Sequence, residues 1–504
     1  MSVTPQAFHF HLNQLAQTEK YLIAYSGGVD SHVLLHLCSQ LKNSPGGFDQ
    51  SFSAVYIDHG LNYHSKKWGR HCQHICFELD IPLTIIEVDA KPAKGQSPEA
   101  SARIARYQAF GQLLDKNECL LTAQHLDDQA ETLLLQLLRG SGVKGLSAMP
   151  RSKIFAEGFL CRPMLDYKKQ DILAYAEQHQ LEWIDDDSNL DERYDRNYLR
   201  HSVLPLLAER WPAVQENFAK SAELLAESQL LMDELAGSDI HSMRVINQDG
   251  ITEADKLLLQ PLLNLLECGK EKHTKRARLN NLLRHWINLN HMPMPSKKIL
   301  EQIIVSVIQA REDAMPVVRW RREEFQCELR KYRDKLYLFQ GPVKEPAASD
   351  EYYLTEDEVV EISHDQSTIK LLPLRNKTGQ KGFDRQKLLA RKLTIRFRQG
   401  GERFRSSVRG KTQQLKHWFQ EQGIPPWERD LLPLIYWGDD LIQVGNDIVD
   451  HSAAEGYFSE AEGSNPKAEG SVPKAEGSNP NAEGSLLIIC WIKQDLDEIK
   501  RKKR

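Results

Sequence analysis

The sequence predicts an α/β fold in which a doubly wound parallel sheet is followed by a helical domain and a small mixed α/β domain. Short apolar runs alternate with helical patterns four times in succession from Tyr21 onward, which is typical of a parallel sheet built from βα units. In order, the predicted strands are YLIAY, SAVYID, LTIIEVD and CLLTA. Ligands of such sheets lie beyond the carboxyl ends of the strands where the winding reverses, so the loops after YLIAY, SAVYID and CLLTA are the candidate functional loops.

Changes of pattern divide the chain into three predicted domains. The α/β pattern gives a first domain at 1–212, and helical spacing of apolar residues gives a second at 213–341. The linker-like PVKEPAASD then opens a mixed domain at 342–504. Within it, AEGSNPK-type repeats at 461–485 carry Gly and Pro in every complete unit, which predicts a flexible low-complexity insertion before the apolar strand LLIICWI.

The composition is that of a globular protein, with 41% hydrophobic and 27% charged residues among 504. No apolar run approaches the roughly 18 residues that a membrane-spanning helix needs, and the start has no basic region followed by an apolar one. We therefore expect a cytoplasmic protein without a membrane partner. The eight cysteines are scattered without paired CxxC spacing, so reduced core residues are expected.

The loop after the first strand predicts a nucleotide-phosphate site. Two glycines allow the backbone to approach an anion, two serines offer hydroxyl donors, and the following helix contributes unpaired N–H groups. The carboxylate of Asp30 could join a magnesium ion to the phosphates. No GxxxxGK[ST] sequence occurs, and an ordinary helix start is the alternative interpretation. The predicted cofactor-binding residues are Ser26, Gly27, Gly28, Val29, Asp30 and Ser31.

Acidic residues follow the fourth strand, just after His125. Asp127 and Glu131 are four residues apart on a predicted helix, so they could hold magnesium or receive the ammonium group of a substrate. Alternatively, Asp128 and Glu131 are first-turn acids that cap the helix and favour its dipole.

A second set of candidates is basic. Arg103, Arg106 and Tyr107 share one face of a predicted helix, where two guanidinium groups could neutralise phosphate charge in a transition state, bind an RNA backbone, or form a solvated face. In the loop after the second strand, His59 is either a general base or a structural residue.

Two regions are candidates for RNA contact. Arg196 and Arg200 either bind an RNA backbone or pair with the acidic run at 185–187. Further along, 391–417 holds nine Lys/Arg against the single acid Glu402, which favours binding to a polyanion. Its predicted RNA-binding residues are Arg403, Arg405, Arg409 and Lys416, and we expect three interleaved aromatic residues to stack on unpaired bases: Phe397, Phe404 and Trp418.

Several of these segments resemble one family. SGGVDS resembles the pyrophosphate-binding loop of N-type ATP pyrophosphatases. IDHGL, ARIARY, TAQHLDDQAETLLLQLLRGSGVKGL, RP and RNYLRH are similar to segments of tRNA(Ile)-lysidine synthases. The resemblance runs from Tyr21 to Pro205 and returns over GGERFRSSVRGKTQQLKHWFQEQGIPPWERDLLPLIY in the third domain. It departs from the family at Gln124, where a second histidine beside His125 is expected.

The resemblance implies a ligase that uses ATP and Mg²⁺. Such an enzyme adenylates the wobble cytidine of the isoleucine tRNA with a CAU anticodon, and free L-lysine then replaces AMP. Lysidine forms, and codon specificity changes from AUG to AUA. A homodimer is a further expectation for the assembly of the chain. The residues implied to be catalytic are Asp30, Arg103, Arg106, Asp127 and Asp128; His59 joins the nucleotide site, and Asp30 and Glu131 are the implied metal ligands.

Three other functions are less well supported. A tRNA cytidine thiolase resembles enzymes with paired CxxC cysteines, and no such pairs occur here. An amidating ligase of the same superfamily needs a glutamine-hydrolysing nucleophile, which no segment resembles. A noncatalytic tRNA-binding protein with a vestigial loop is the third alternative, and the intact carboxylates disfavour it.

Overall fold

The computed structural model describes the chain in stretches. The described residues are 2–15, 18–44, 50–60, 65–89, 98–186, 191–246, 252–266, 272–311, 314–322, 325–341, 351–356, 359–362, 367–373, 383–405, 411–449 and 486–492. By contact the chain divides into two units, Met1–Leu235 and Ala236–Arg504. The repeats predicted to form an insertion at 461–485 lie outside the described residues.

A six-stranded sheet organises the first unit. Its strands are β1 (Lys20–Ala24), β2 (Ser51–Asp58), β3 (Leu83–Glu87), β4 (Cys119–Leu121), β5 (Ser152–Phe155) and β6 (Gly158–Cys161). Their order is β3-β2-β1-β4-β6-β5, and every pair is parallel except β5 with β6. The winding reverses between β1 and β4, which confirms the predicted doubly wound sheet. The antiparallel hairpin of β5 and β6 was not predicted.

Helices cover both faces of this sheet. In chain order, the described helices as far as His241 are α1 (Pro5–Asn13), α2 (Val29–Lys42), α3 (Ser65–Glu78), α4 (Pro98–Leu113), α5 (Leu126–Leu138), α6 (Val143–Leu146), α7 (Lys169–Gln178), α8 (Asp195–Tyr198), α9 (Leu204–Arg210) and α10 (Val214–His241). Alternate residues of β1 separate two cores: Tyr21 and Ile23 pack with α1, α2, α3 and α7, whereas Leu22 packs with α4. Between α8 and α9 the chain forms a π-helical turn at Leu199–Val203.

Helices and strands both occur in the second unit. After α10 come β7 (Arg244–Ile246), β8 (Thr252–Leu258), α11 (Leu259–Asn264), α12 (Lys272–Leu289), α13 (Lys297–Gln302), a π-helical turn (Ile303–Ile308), β9 (Val317–Arg322), β10 (Phe325–Tyr332) and β11 (Lys335–Gln340). The predicted helices are present, and an antiparallel sheet of order β7-β8-β11-β10-β9, which was not predicted, lies in the same part of the chain. The three domain bounds remain predictions.

The later part of this unit is built mainly of strands, as the mixed pattern predicted. Its elements are β12 (Glu351–Leu354), β13 (Val360–Glu361), β14 (Thr368–Pro373), β15 (Phe383–Asp384), α14 (Arg385–Leu389), β16 (Leu393–Arg396), β17 (Arg403–Arg405), β18 (Thr412–Gln414), α15 (Leu415–Glu421), α16 (Pro426–Arg429), β19 (Leu434–Trp437), β20 (Asp440–Val444), β21 (Asp447–Ile448) and β22 (Leu486–Ile492). The last strand, LLIICWI, pairs with β14 and β15. In the described part of the chain, no helix is long and apolar enough to cross a membrane.

Candidate active site

The loop between β1 and α2 has the geometry of a phosphate-binding turn. Gly27 has a φ of +83°, and a Cβ there would lie 2.7 Å from the Ile184 side chain, so only glycine fits. The Ser31 hydroxyl donates to the Gly28 carbonyl at 2.9 Å and lies 3.1 Å from the Ser26 hydroxyl. Gly28 caps α2, whose first-turn N–H groups and dipole favour an anion at this end.

An acid–base cluster joins this loop to the start of α5. The Lys169 ammonium lies 2.6 Å from Asp30 Oδ1, and the Lys169 backbone N–H donates to Asp127 Oδ2 at 2.8 Å. The His125 ring lies 3.8 Å from Asp30, 3.6 Å from Asp127 and 3.5 Å from Asp128. The carboxylates of Asp30, Asp127 and Asp128, all of them predicted site residues, therefore meet between β1 and β4, where the winding of the sheet reverses.

A buried ion-pair network lies next to this cluster. Glu131 is 1% exposed, and its oxygens accept from Arg196 Nε at 2.7 Å and from Arg200 Nε at 2.6 Å. A terminal nitrogen of each guanidinium group also lies within 3.3 Å of Asp128. Pairing with the acids at 185–187 was the alternative to RNA contact for these arginines, but the structure pairs both with Asp128 and Glu131. Glu131 therefore does not fit the predicted role of metal ligand, because both of its oxygens face cations.

The cluster favours the charged forms of His125, Asp127 and Asp128. Burial opposes the charge on His125, but Asp128, Asp127 and Asp30 outweigh it and raise the pKa of the imidazole. Burial likewise opposes the charge on the carboxylates. The nearby His125 ring and a hydrogen bond from the Lys169 backbone lower the pKa of Asp127, and the charges of His125, Arg196 and Arg200 lower the pKa of Asp128. Cation and anions thus stabilise one another in a site largely shielded from solvent.

A cavity of about 330 Å³ opens onto this network. Its polar wall includes His125, Asp127, Lys169 and Arg200, and Leu204 and Pro205 of α9 form an apolar part of it. A concave site with charged groups beside an apolar wall suits a small amphipathic ligand, such as an amino acid with an aliphatic stem and a charged end.

The basic candidates of α4 divide into two places. Arg106 donates through Nε to His59 Nε2 at 3.2 Å, so the loop after β2 is tied to α4. Burial, followed by the charge of Arg106, lowers the pKa of His59 to about 4, which leaves the imidazole neutral near pH 7. Arg103 instead lies over the ring of Tyr107, with 5.0 Å from its Cζ to the ring centroid.

Protein-family models match three parts of the chain. A PP-loop domain matches residues 4–207, a TilS substrate binding domain matches 273–337, and a TilS substrate C-terminal domain matches 393–464. A tRNA(Ile)-lysidine synthase of Coxiella burnetii is 40% identical over 90% of this chain and 94% of its own length. The chain belongs to the tRNA(Ile)-lysidine synthase family. Synthases of that name from Methylococcus capsulatus and Serratia proteamaculans are 37% and 38% identical, over 84% and 85% of this chain and 91% of each relative.

Membership of the lysidine synthase family confirms the prediction made from SGGVDS and the later segments. It also confirms that the chain is an enzyme of tRNA modification and that it uses ATP, so the noncatalytic alternative is not favoured. Where a second histidine was expected, the Gln124 side chain accepts a hydrogen bond from the Thr122 hydroxyl at 2.5 Å. This member of the family therefore has one imidazole, that of His125, between β4 and α5.

The predicted RNA-binding residues of the second unit stay predictions. Arg403 and Arg405 are exposed on β17, and Lys416 is exposed on α15. Arg409 lies outside the described residues. The prediction that three aromatic residues stack on bases is wrong, because they are buried in the cores of this unit: Phe397 (3% exposed), Phe404 (4%) and Trp418 (8%).

Sequence reasoning missed Lys169 and the cavity wall formed by Leu204 and Pro205. Lys169 lies 139 residues from Asp30 along the chain, at the first turn of α7. Nothing local in DYKKQD distinguishes it from a solvated lysine. The only available signal was an excess of carboxylates after β4, which required cations from elsewhere in the fold.

Proposed function

We propose that this chain adenylates the wobble cytidine of the isoleucine tRNA with a CAU anticodon and then joins L-lysine to it, at the cluster around His125. The observation that carries the proposal is the position of Asp30. It belongs to the phosphate loop, yet its carboxylate lies within 4 Å of both Lys169 and His125. Nucleotide activation and recognition of an amine can therefore take place at one point of the sheet.

For adenylation, the chain's own groups supply binding and charge compensation. Ser26, Ser31 and the start of α2 hold the phosphates, and Arg106 extends the positive surface beside His59. The 2-oxygen of cytidine attacks the α-phosphorus, and pyrophosphate leaves with the electron pair of the broken bond. The gain in rate comes from positioning and from stabilising negative charge on the phosphates.

The residues present fit a magnesium ion at Asp30 but not at Glu131. No group of three or more potential ligands in the described residues forms a metal cage, and magnesium commonly uses one or two carboxylates together with substrate phosphates. Asp30 is 31% exposed at the edge of the phosphate loop, whereas Glu131 is buried between guanidinium groups. Magnesium, when bound, supplies charge neutralisation on the phosphates. An ion at Asp30 would compete with the Lys169 ammonium.

For the second step, we place L-lysine in the cavity beside Asp127. Its volume of about 330 Å³ accommodates one amino acid. The aliphatic stem can lie on Leu204 and Pro205, and Arg200 is the available donor for a substrate carboxylate. Asp127 can accept a hydrogen bond from the ε-amine, which attacks C2 of the cytosine ring while AMP departs.

The test is incorporation of labelled lysine into purified CAU-anticodon isoleucine tRNA, with and without ATP. We expect ATP-dependent incorporation that is confined to this tRNA. Incorporation without ATP, or none despite tight tRNA binding, would refute the proposal. Asp115→Asn serves as the matched control for variants of Asp30, since Asp115 lies in the exposed turn before β4. A homodimer and a cytoplasmic location remain predictions; light scattering of the purified chain tests the first.

A further inference from the structure

Three cationic side chains meet between α4 and the hairpin of β5 and β6. Arg103 lies over Tyr107, and Tyr107 packs edge-on against Phe155 with ring centroids 5.8 Å apart. Lys153 lies two residues before Phe155 on β5, and Arg162 directly follows β6 beside Tyr107. Burial, followed by the charges of Arg162 and Arg103, lowers the pKa of Lys153. The three cations therefore lie close enough to influence one another electrostatically.

Arg162 is the unusual member of this cation cluster, which consists of Arg103, Lys153 and Arg162. It is 3% exposed, its Nη1 donates to the Pro150 carbonyl at 2.7 Å, and the Tyr107 side chain is a second hydrogen-bond partner. Its Nε–H is buried without a hydrogen-bond partner. None of the three cations forms an ion pair with a carboxylate among the residues that the structure describes. A buried guanidinium group with an unused donor is costly unless an anion completes it.

The cluster lies at the edge of the sheet where ligands bind. Arg162 follows the carboxyl end of β6, just as the phosphate loop follows β1 and His125 follows β4. Because β6 is two strands from β1 and strands are about 4.8 Å apart, the cluster stands on the order of 10 Å from the phosphate loop. It therefore lies at the same edge of the sheet as the phosphate loop but apart from it.

We infer that Arg103, Lys153 and Arg162 form a binding site for a phosphate group, separate from the ATP loop. The inference rests on the proposed function, and within it the RNA backbone beside the reacting cytidine is the favoured source. A single-stranded base that is splayed into the centre of the sheet carries its flanking phosphates to either side. Arg162 would donate from the base of the site, and Arg103 and Lys153 would neutralise the anion at its mouth.

Lys153→Gln tests the site, with Lys116→Gln as the matched control. Both lysines are exposed and both changes remove one charge, but Lys116 lies before β4, at the opposite edge of the sheet. Equilibrium binding of the CAU-anticodon tRNA, without ATP or lysine, is measured over a series of salt concentrations. We expect Lys153→Gln to weaken binding about fivefold and to reduce the slope of log K against log salt by about 0.7 to 1.

A second arm separates the two sources of phosphate. With the RNA backbone as ligand, the KM for ATP in lysine incorporation stays at the value of the unmodified chain. A raised KM for ATP with unchanged tRNA affinity would assign the site to the triphosphate and overturn the RNA assignment. If Lys153→Gln matches Lys116→Gln in every measurement, the site itself is refuted.

Arg162→Lys provides an independent check, because it keeps the charge but removes the guanidinium fork. We expect lost tRNA affinity with a native circular dichroism spectrum and an almost unchanged salt slope. If the unmodified chain incorporates no lysine, the proposed function is refuted. If Lys153→Gln nevertheless binds the tRNA more weakly than the unmodified chain, the phosphate site is still supported. Unaltered tRNA affinity in folded Arg162→Lys would count against the site.

Discussion

Two charged regions of the first unit differ in how their charges are balanced. Around His125, acids and bases are matched: Glu131 faces Arg196 and Arg200, and Asp30 faces Lys169. In the cation cluster of Arg103, Lys153 and Arg162, like charges stand together. The first arrangement is preorganised, and a ligand enters it by exchanging partners. The second is incomplete, and a ligand enters it by supplying the missing charge.

The largest expected effect is the loss of activity in Asp30→Asn. This change removes the negative charge by which Asp30 of the phosphate loop pairs with Lys169 and His125, but it keeps the shape of the side chain. We expect lysine incorporation and tRNA-dependent pyrophosphate release to fall by about 10²- to 10³-fold. Single-turnover assays measure both, with Asp115→Asn as control. Substantial pyrophosphate release in Asp30→Asn would mean that Asp30 has a structural role only.

Glu131→Gln tests how much the ion pairs of Glu131 with Arg196 and Arg200 contribute to stability. The change leaves Arg196 and Arg200 partly uncompensated in a buried site, so the free energy of unfolding should fall by about 3 kcal/mol. Urea unfolding followed by circular dichroism measures it, and exposed Glu157→Gln is the control. Adding Arg200→Gln should recover part of the loss. A loss no greater than that of Glu157→Gln would show that the network is not stabilising.

The pH dependence of stability distinguishes buried histidines on α2 from His125. Burial, followed by neighbouring histidines, lowers the pKa of His32 and of His36 from 6.5 to about 4. The unfolded chain therefore binds more protons than the folded one between these values, and stability should fall as pH drops from 6.5 towards 4. His125, with its raised pKa, contributes in the opposite sense: its stabilisation is complete below 6.5 and is lost as pH rises through the folded value.

Urea unfolding at a series of pH values checks this expectation. His36→Gln removes one of the two groups and should flatten the slope between pH 6.5 and 4. A slope identical to that of the unmodified chain would show that His36 is not responsible.

The smallest expected effect is on the stability of Lys153→Gln. Because removal of one of three like charges relieves repulsion, the free energy of unfolding should stay the same or rise by up to about 0.5 kcal/mol. Glu131→Gln is expected to lower the free energy of unfolding in the same urea assay, so the two changes differ in direction. A loss above about 1 kcal/mol would show that Lys153 stabilises the fold and would remove the contrast between the two regions.

Local signals predicted the first unit well. Four apolar runs became β1 to β4, and the candidate residues Asp30, Asp127 and Asp128 meet in one cluster around His125, which was not a candidate. Strand alternation would also have placed one aromatic residue correctly. Phe404 lies between Arg403 and Arg405 on a strand, so its side chain points to the opposite face from theirs, into the core.

Long-range pairing was beyond local patterns. Arg196 is 65 residues from Glu131, and only the fold shows that they meet. The sheet of β7 to β11 escaped prediction for a similar reason. Glu328 and Lys331 interrupt the apolar alternation of β10, and both are 2% exposed; Glu328 is neutralised by Arg319 and Arg330, and the Lys331 ammonium donates to the Ala310 carbonyl at 2.6 Å.

The π-helical turn at Leu199–Val203 determines the direction in which Leu204 and Pro205 face, and so places both side chains in the cavity wall. A π-turn amounts to one extra residue in a regular helix, and each residue of an α-helix advances by about 100°. Without that residue, Leu204 and Pro205 would rotate by roughly a quarter turn or more around the axis and leave the cavity. Alignments of family members should therefore tolerate substitutions in this segment but show no single-residue gap, because a deletion would turn the apolar wall away from the ligand.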